Sequence, residues 1–245
     1  YTFLLQNIAF FYLCGIFIYK INQLIFKDDK LAYLGMLAYA TCQPFAIFSL
    51  AILSDAAGWF FGIAGIYFTL KIFSEPIVKF KDVALTGFLV GAGCLAKESA
   101  VIGLIFLYSC ILLNELSFKK KAGLFLYSSI GFIVPFAISF FLIQYFYDDS
   151  IIKRILESKN AINATSTDNF EWKHLKQTFR LIDMYWFLFL IGLISVLRIL
   201  KREPHNFILR SLLLTVIIIF LLIPVGPSRY FRDRILFIVA PILII

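Results

Sequence analysis

"AGLFLYSSIGFIVPFAISFFLIQYF", residues 122–146, has no charged side chain at any of its 25 positions. A run this long exceeds the roughly 20 residues a helix needs to cross the hydrocarbon core of a bilayer, and far exceeds the roughly ten of a barrel strand. Hydrocarbon offers the backbone no hydrogen-bond partners, so such a run satisfies its own N–H and C=O groups as a helix. The rest of the 245-residue chain repeats the pattern: 61% of it is hydrophobic and 16% charged, with a mean hydropathy of +0.90. An ordinary soluble domain is excluded. The expected fold class is all-α, a polytopic transmembrane bundle forming one domain over residues 1–245.

Apolar runs bounded by turn and charge signals predict helices near 3–19, 31–53, 56–73, 83–96, 99–114, 122–146, 183–197 and 207–224, with a ninth beginning at 235. The chain opens at Tyr1 without a methionine and stops in an apolar run about half the length of a span. It therefore reads as a piece of a longer protein. The 29 Phe and 12 Tyr suit lipid-facing surfaces and interfacial belts and say little about function. Cys14, Cys42, Cys94 and Cys110 lie in apolar runs without metal-ligand spacing, so neither a disulfide framework nor a zinc site is indicated.

Charge sets the expected sidedness. Every second loop carries three basic residues: Lys20, Lys27 and Lys30; Lys71, Lys79 and Lys81; Lys119, Lys120 and Lys121; Arg198, Lys201 and Arg202. Cytoplasmic loops are enriched in Lys and Arg, which places these four inside. The turn at Ser54 and Asp55, the break at Lys97 and Glu98, the 147–182 loop and the 225–234 loop then lie outside. The 147–182 segment, about 35 residues with an aromatic "FEWKHL" stretch that contains His174, exceeds an ordinary connection and reads as a substrate-covering or partly disordered loop.

The external side thus collects the ionisable residues that the positive-inside bias leaves unexplained. An ionised group near membrane depth costs at least about 2.5–3.5 kcal/mol on insertion scales, so it pairs, lines a polar cavity or snorkels. Asp55 is either a cap of the helix that follows or a carboxylate that takes a proton from a hydroxyl. Lys97 and Glu98 interrupt two short apolar stretches. As helical neighbours they would point apart and leave Lys97 able to address another group; a snorkelling lysine is the bland reading. Gly58 and Gly62, like Gly87 and Gly91, have the small-xxx-small spacing of closely packed membrane helices, which can bring Asp55 near Lys97. In "GPSRYFRDR", residues 226–234, Arg229, Arg232 and Asp233 share one helical face and Tyr230 and Arg234 another. Arginine suits multidentate phosphate recognition, and lipid phosphate lies at this depth; nonspecific headgroup attraction is the alternative. Clusters this small at helix ends do not indicate nucleic acid.

Three stretches together resemble the polytopic GT-C glycosyltransferases, in the group containing protein O-mannosyltransferases and bacterial aminoarabinose transferases. They are "LAILSDAAGWFFGIAGIYF", "GFLVGAGCLAKESAVIGLIFL" and "GPSRYFRDRILFIVAPILII", in the family's order and with common sidedness. The resemblance implies inverting transfer of a sugar from a polyprenyl-phosphate donor to an acceptor hydroxyl of a glycan, lipid or protein. It places the reaction on the periplasmic, extracellular or lumenal face, with a bacterial inner membrane favoured. It assigns a catalytic role to Asp55 and donor-phosphate binding to Lys97, Arg229 and Tyr230. Glu98, Arg232, Arg234 and His174 remain possible substrate-binding residues. It also implies a first helix and an external loop with a principal acidic residue upstream of Tyr1. No ligand set supports a metal assignment, and membrane lipids are the other expected partner. A flippase or transporter of lipid-linked sugars, a polysaccharide polymerase or ligase, and a noncatalytic scaffold subunit are the competing readings.

Overall fold

A computed structural model of the protein describes residues 2–41, 55–147, 194, 196–203 and 205–222. Among these residues there is no strand, and the all-α class stands. Helix α1 spans Thr2–Phe26, α2 Asp29–Thr41, α3 Asp55–Ser74 and α4 Phe80–Ala96. A 3-10 turn at Glu98–Val101 leads into α5 at Ile102–Leu113, followed by α6 at Phe118–Tyr147 and α7 at Phe207–Leu222. Residues 196–202 are also helical. Helices α1, α3 and α6 are long and apolar enough to cross a membrane, by length and composition. Most of the expected 183–197 span, the far half of the 31–53 span, the loop after Tyr147 and the helix from 235 lie outside the described residues.

All four expected basic loops are shorter than their charges indicate, because charge alone does not end a helix; 71–82 is helical to Ser74 and again from Phe80. The 20–30 loop is mostly helix, since α1 runs on to Phe26. Lys20 stays on it with its ammonium 5.7 Å from the Tyr67 ring centroid and 5.9 Å from that of Phe17, a cation–π arrangement that accommodates the charge. Reversal waits for Lys27, whose φ of 52° is left-handed and whose N–H donates to the Gln23 carbonyl at 3.0 Å. Asp28 then caps α2, its Oδ1 accepting from the N–H groups of Lys30 at 2.8 Å and Leu31 at 3.3 Å. In the 115–121 loop, α6 already begins at Phe118, and Lys121 Nζ donates to the Leu112 carbonyl at 2.8 Å, meeting an orphan acceptor at the end of α5. The 198–206 loop is helical to 202; Asn206 Oδ1 accepts from the Leu209 N–H at 3.2 Å and starts α7.

Helix α3 is the centre of the assembly: 72% of its most apolar window is buried, against 22% for α1 and 17% for α6. Ring contacts fix the helix directions. Phe10 stacks on Phe60 at 5.1 Å and Phe17 meets Tyr67 at 5.2 Å, so α1 runs parallel to α3. Phe80 lies 5.0 Å from Tyr127, and a Cβ on Gly91 would meet the Phe132 backbone, so α4 runs parallel to α6. Phe207 lies 6.1 Å from Phe73, which sets the start of α7 beside the end of α3. A buried hydrogen bond from Thr215 Oγ1 to Ser109 Oγ at 3.2 Å joins α7 to α5, the kind of polar contact that holds helices together where no hydrophobic driving force acts between them.

These directions sort the charges. The α1–α2 turn, the ends of α3 and α5 and the starts of α4, α6 and α7 lie at one end of the bundle. Every described lysine and arginine except Lys97 belongs to that end.

Candidate functional site

The opposite end is where α3 begins and α4 stops. Asp55 is the first residue of α3. After Ala96 the backbone of Lys97 is extended, with φ −161° and ψ 132°, before the 3-10 turn and α5. Its N–H donates to the Gly93 carbonyl at 2.9 Å, and its carbonyl accepts from Ala100 N–H at 3.1 Å. One extended residue therefore reverses the chain while both of its backbone groups stay bonded.

Helix α3 holds this reversal in place by presenting glycines to it. A Cβ on Gly58 would collide with the Ser99 hydroxyl and lie 2.7 Å from Lys97 Cβ; one on Gly62 would lie 2.7 Å from Ile102 Cγ2 and 3.4 Å from the Ala100 carbonyl oxygen. The four-residue glycine spacing thus seats the first turns of α3, which Asp55 opens, directly against Lys97. The second glycine pair makes a different seam. Cβ atoms on Gly87 and Gly91 would enter the backbone of α6 at Ser128 and Phe132, and one on Gly131 would enter α4 at Ala84.

The expectation that Lys97 and Glu98 do not pair is overturned. Lys97 Nζ lies 3.3 Å from Glu98 Oε1. Successive side chains diverge by about 100° on a helix, but Lys97 is extended, and that lets the two converge. The pair is uneven: the lysine side chain is 14% exposed and the glutamate 52%. Ser99, at 4% exposure, is buried behind them, and its Oγ has no hydrogen-bond partner among the described residues.

Chemically, this end presents a shielded cation beside a half-exposed carboxylate on a turn braced from behind. That suits an anionic group arriving from the bundle end, where a preorganised cation in a poorly hydrated setting acts more strongly than in water. No group of His, Cys, Asp and Glu among the described residues has the makings of a metal site. Of the sequence-predicted positions, Asp55, Lys97 and Glu98 come to this one end. Arg229, Tyr230, Arg232, Arg234 and His174, with the neighbouring Asp233, lie outside the described residues.

Two features were not legible beforehand. Ser99 reads as an unremarkable polar residue after a break, and only its contact with Gly58 marks it as part of the brace. Ser109 and Thr215 are 106 positions apart and share no local pattern. The chain matches no protein family, no curated protein and no solved structure.

Proposed function

We propose that the protein is a multi-pass membrane glycosyltransferase that works at the bundle end carrying Lys97, moving a sugar from a polyprenyl-phosphate donor to an acceptor hydroxyl. The observation that carries this reading is the position of Lys97. Every other described cation lies at the far end, in segments of the kind that stay cytoplasmic, whereas this one is largely shielded at the opposite end. A shielded ionisable residue held among membrane helices is by default a mark of a functional site.

The chemistry is a single displacement. The acceptor oxygen attacks the anomeric carbon as the bond from that carbon to the phosphate oxygen breaks, and the hydroxyl proton passes to a carboxylate, the role given to Asp55. The leaving polyprenyl phosphate carries away the bonding electrons, and Lys97 with Arg229 and Tyr230 stabilises the charge that develops on it. General-base assistance contributes roughly 10²–10⁴-fold, so removal of the cations should cost more than removal of Asp55. Glu98, Arg232, Arg234 and His174 remain candidates for holding substrate. The active face is periplasmic, extracellular or lumenal, opposite the lysine-rich turns.

The test is turnover in detergent with a polyprenyl-phosphate sugar. A transferase releases free polyprenyl phosphate without a sealed membrane; a flippase does not, and a polymerase or ligase requires a lipid pyrophosphate. Lys97→Ala, Arg229→Ala and Asp55→Asn proteins of equal abundance should all lose transfer. Undiminished activity in all three refutes the assignment.

A further inference from the structure

A carboxylate one residue away from a shielded lysine obstructs any anion that lysine is meant to hold, unless the carboxylate can leave. We infer that Glu98 is a resident counterion of Lys97 which the phosphate of an incoming lipid displaces, so that Glu98 sets how tightly this end of the bundle takes an anion. The inference rests on the transferase reading for its assignment of Lys97 to the donor phosphate.

The geometry separates the two partners into a fixed one and an exchangeable one. Lys97 is 14% exposed, its backbone is bonded on both sides, and its Cβ lies against Gly58 of the most buried long helix. Ser99 fills the space beside Gly58 and leaves the turn no room to shift inward. Glu98 is half exposed and holds the ammonium at 3.3 Å from the rim. Rotation of its side chain releases the contact without any backbone change. With the ligand absent, Glu98 adds a compensating charge beside a poorly hydrated ammonium. With the ligand present, a phosphate oxygen replaces the carboxylate oxygen one for one. A half-exposed pair contributes little to stability, so the exchange is inexpensive, and its main effect is competition for the lysine.

Binding is measured on the full-length protein in phosphatidylcholine nanodiscs with farnesyl phosphate as the probe. Farnesol serves as the neutral control and inorganic phosphate separates a lipid from a free anion. Glu98→Gln should tighten farnesyl phosphate by about 1.5- to fivefold and leave farnesol unmoved, with Glu98→Asp, which keeps the charge on a shorter stem, falling between Gln and the native residue. Combining Lys97→Met with Glu98→Gln should abolish the gain. A gain for farnesyl phosphate alone identifies a lipid, and an equal gain for inorganic phosphate identifies a free anion. Unchanged or weaker farnesyl phosphate binding by both Glu98 variants overturns the inference, as does a gain that survives loss of Lys97. Because affinity is read without turnover, tightened binding with no sugar transfer retires the transferase reading alone, whereas transfer with unmoved affinity retires the counterion alone.

Discussion

Replacing Gly131 by alanine probes the α4–α6 seam at its tightest point. The new Cβ would strike the Ala84 carbonyl oxygen, with the carbonyl carbon 2.9 Å and the Cα 3.1 Å away. All three atoms are helix backbone and cannot rotate aside. Bringing that carbon from 2.9 Å to the 3.4 Å at which ordinary contact begins requires a shift of about 0.5 Å, and the oxygen requires more. A gap of 0.5–1 Å forfeits a quarter to a half of each dispersion contact it opens, and overpacking of this kind costs about 1–3 kcal/mol. The intrinsic gain of alanine over glycine within a helix, about 0.5–1 kcal/mol, offsets part of it. A net loss of about 1–2 kcal/mol is expected, and Gly91→Ala, which meets the Phe132 backbone at 3.0 and 3.1 Å, should behave alike. Gly15→Ala should reverse the sign. Its nearest neighbours are Met36 Cγ at 3.6 Å and Tyr39 Cδ1 at 3.8 Å, so only the helical gain remains. Gly123→Ala meets the rim of the Phe80 ring at 2.7 Å, a side chain that can turn, and should be close to neutral. Reversible unfolding in mixed micelles reads all four. Equal shifts of one sign at Gly131 and Gly15 would refute the claim that backbone contact, rather than loss of glycine itself, governs the seam.

Other consequences follow from single contacts. Lys27→Gly should stabilise the protein by about 0.4–1 kcal/mol, because a left-handed φ of 52° strains a side-chain-bearing residue; a lowered unfolding midpoint would contradict it. A double-mutant cycle on Ser109→Ala and Thr215→Val should return a coupling of about 0.6 kcal/mol, typical of hydrogen bonds between membrane helices, and strict additivity would show the bond contributes nothing. In a background with the native cysteines replaced, Glu98→Cys and Lys119→Cys should react with an impermeant maleimide from opposite sides of a sealed vesicle. Labelling of both from one side would end the sidedness on which the proposed function depends.

The helical class and the apolar runs were readable because both follow from local chemistry: long uncharged stretches and the backbone's need for internal hydrogen bonds. Helix ends were read less well wherever a lysine stood for a turn. Lys20 and Lys121 lie on helices because an aromatic face or a neighbouring helix end receives the charge, and Tyr67 and Leu112 come from other segments. Among the candidate site residues, Lys97 and Glu98 stand out in the sequence as a break that bears charge, but their ion pair depends on the extended backbone of Lys97, which residue type does not announce.

What the amino-acid sequence determined by itself is the all-helical class and the asymmetry of charge, since hydropathy and charge are properties of residue type and position along the chain. What tertiary structure alone decided is which segments meet: α3 at the centre, α4 against α6, Gly58 against Lys97 and Ser99, and Thr215 against Ser109. Such pairings depend on how backbones approach in three dimensions. A glycine only records that close approach is permitted, and the packed bundle settles which helix makes use of it.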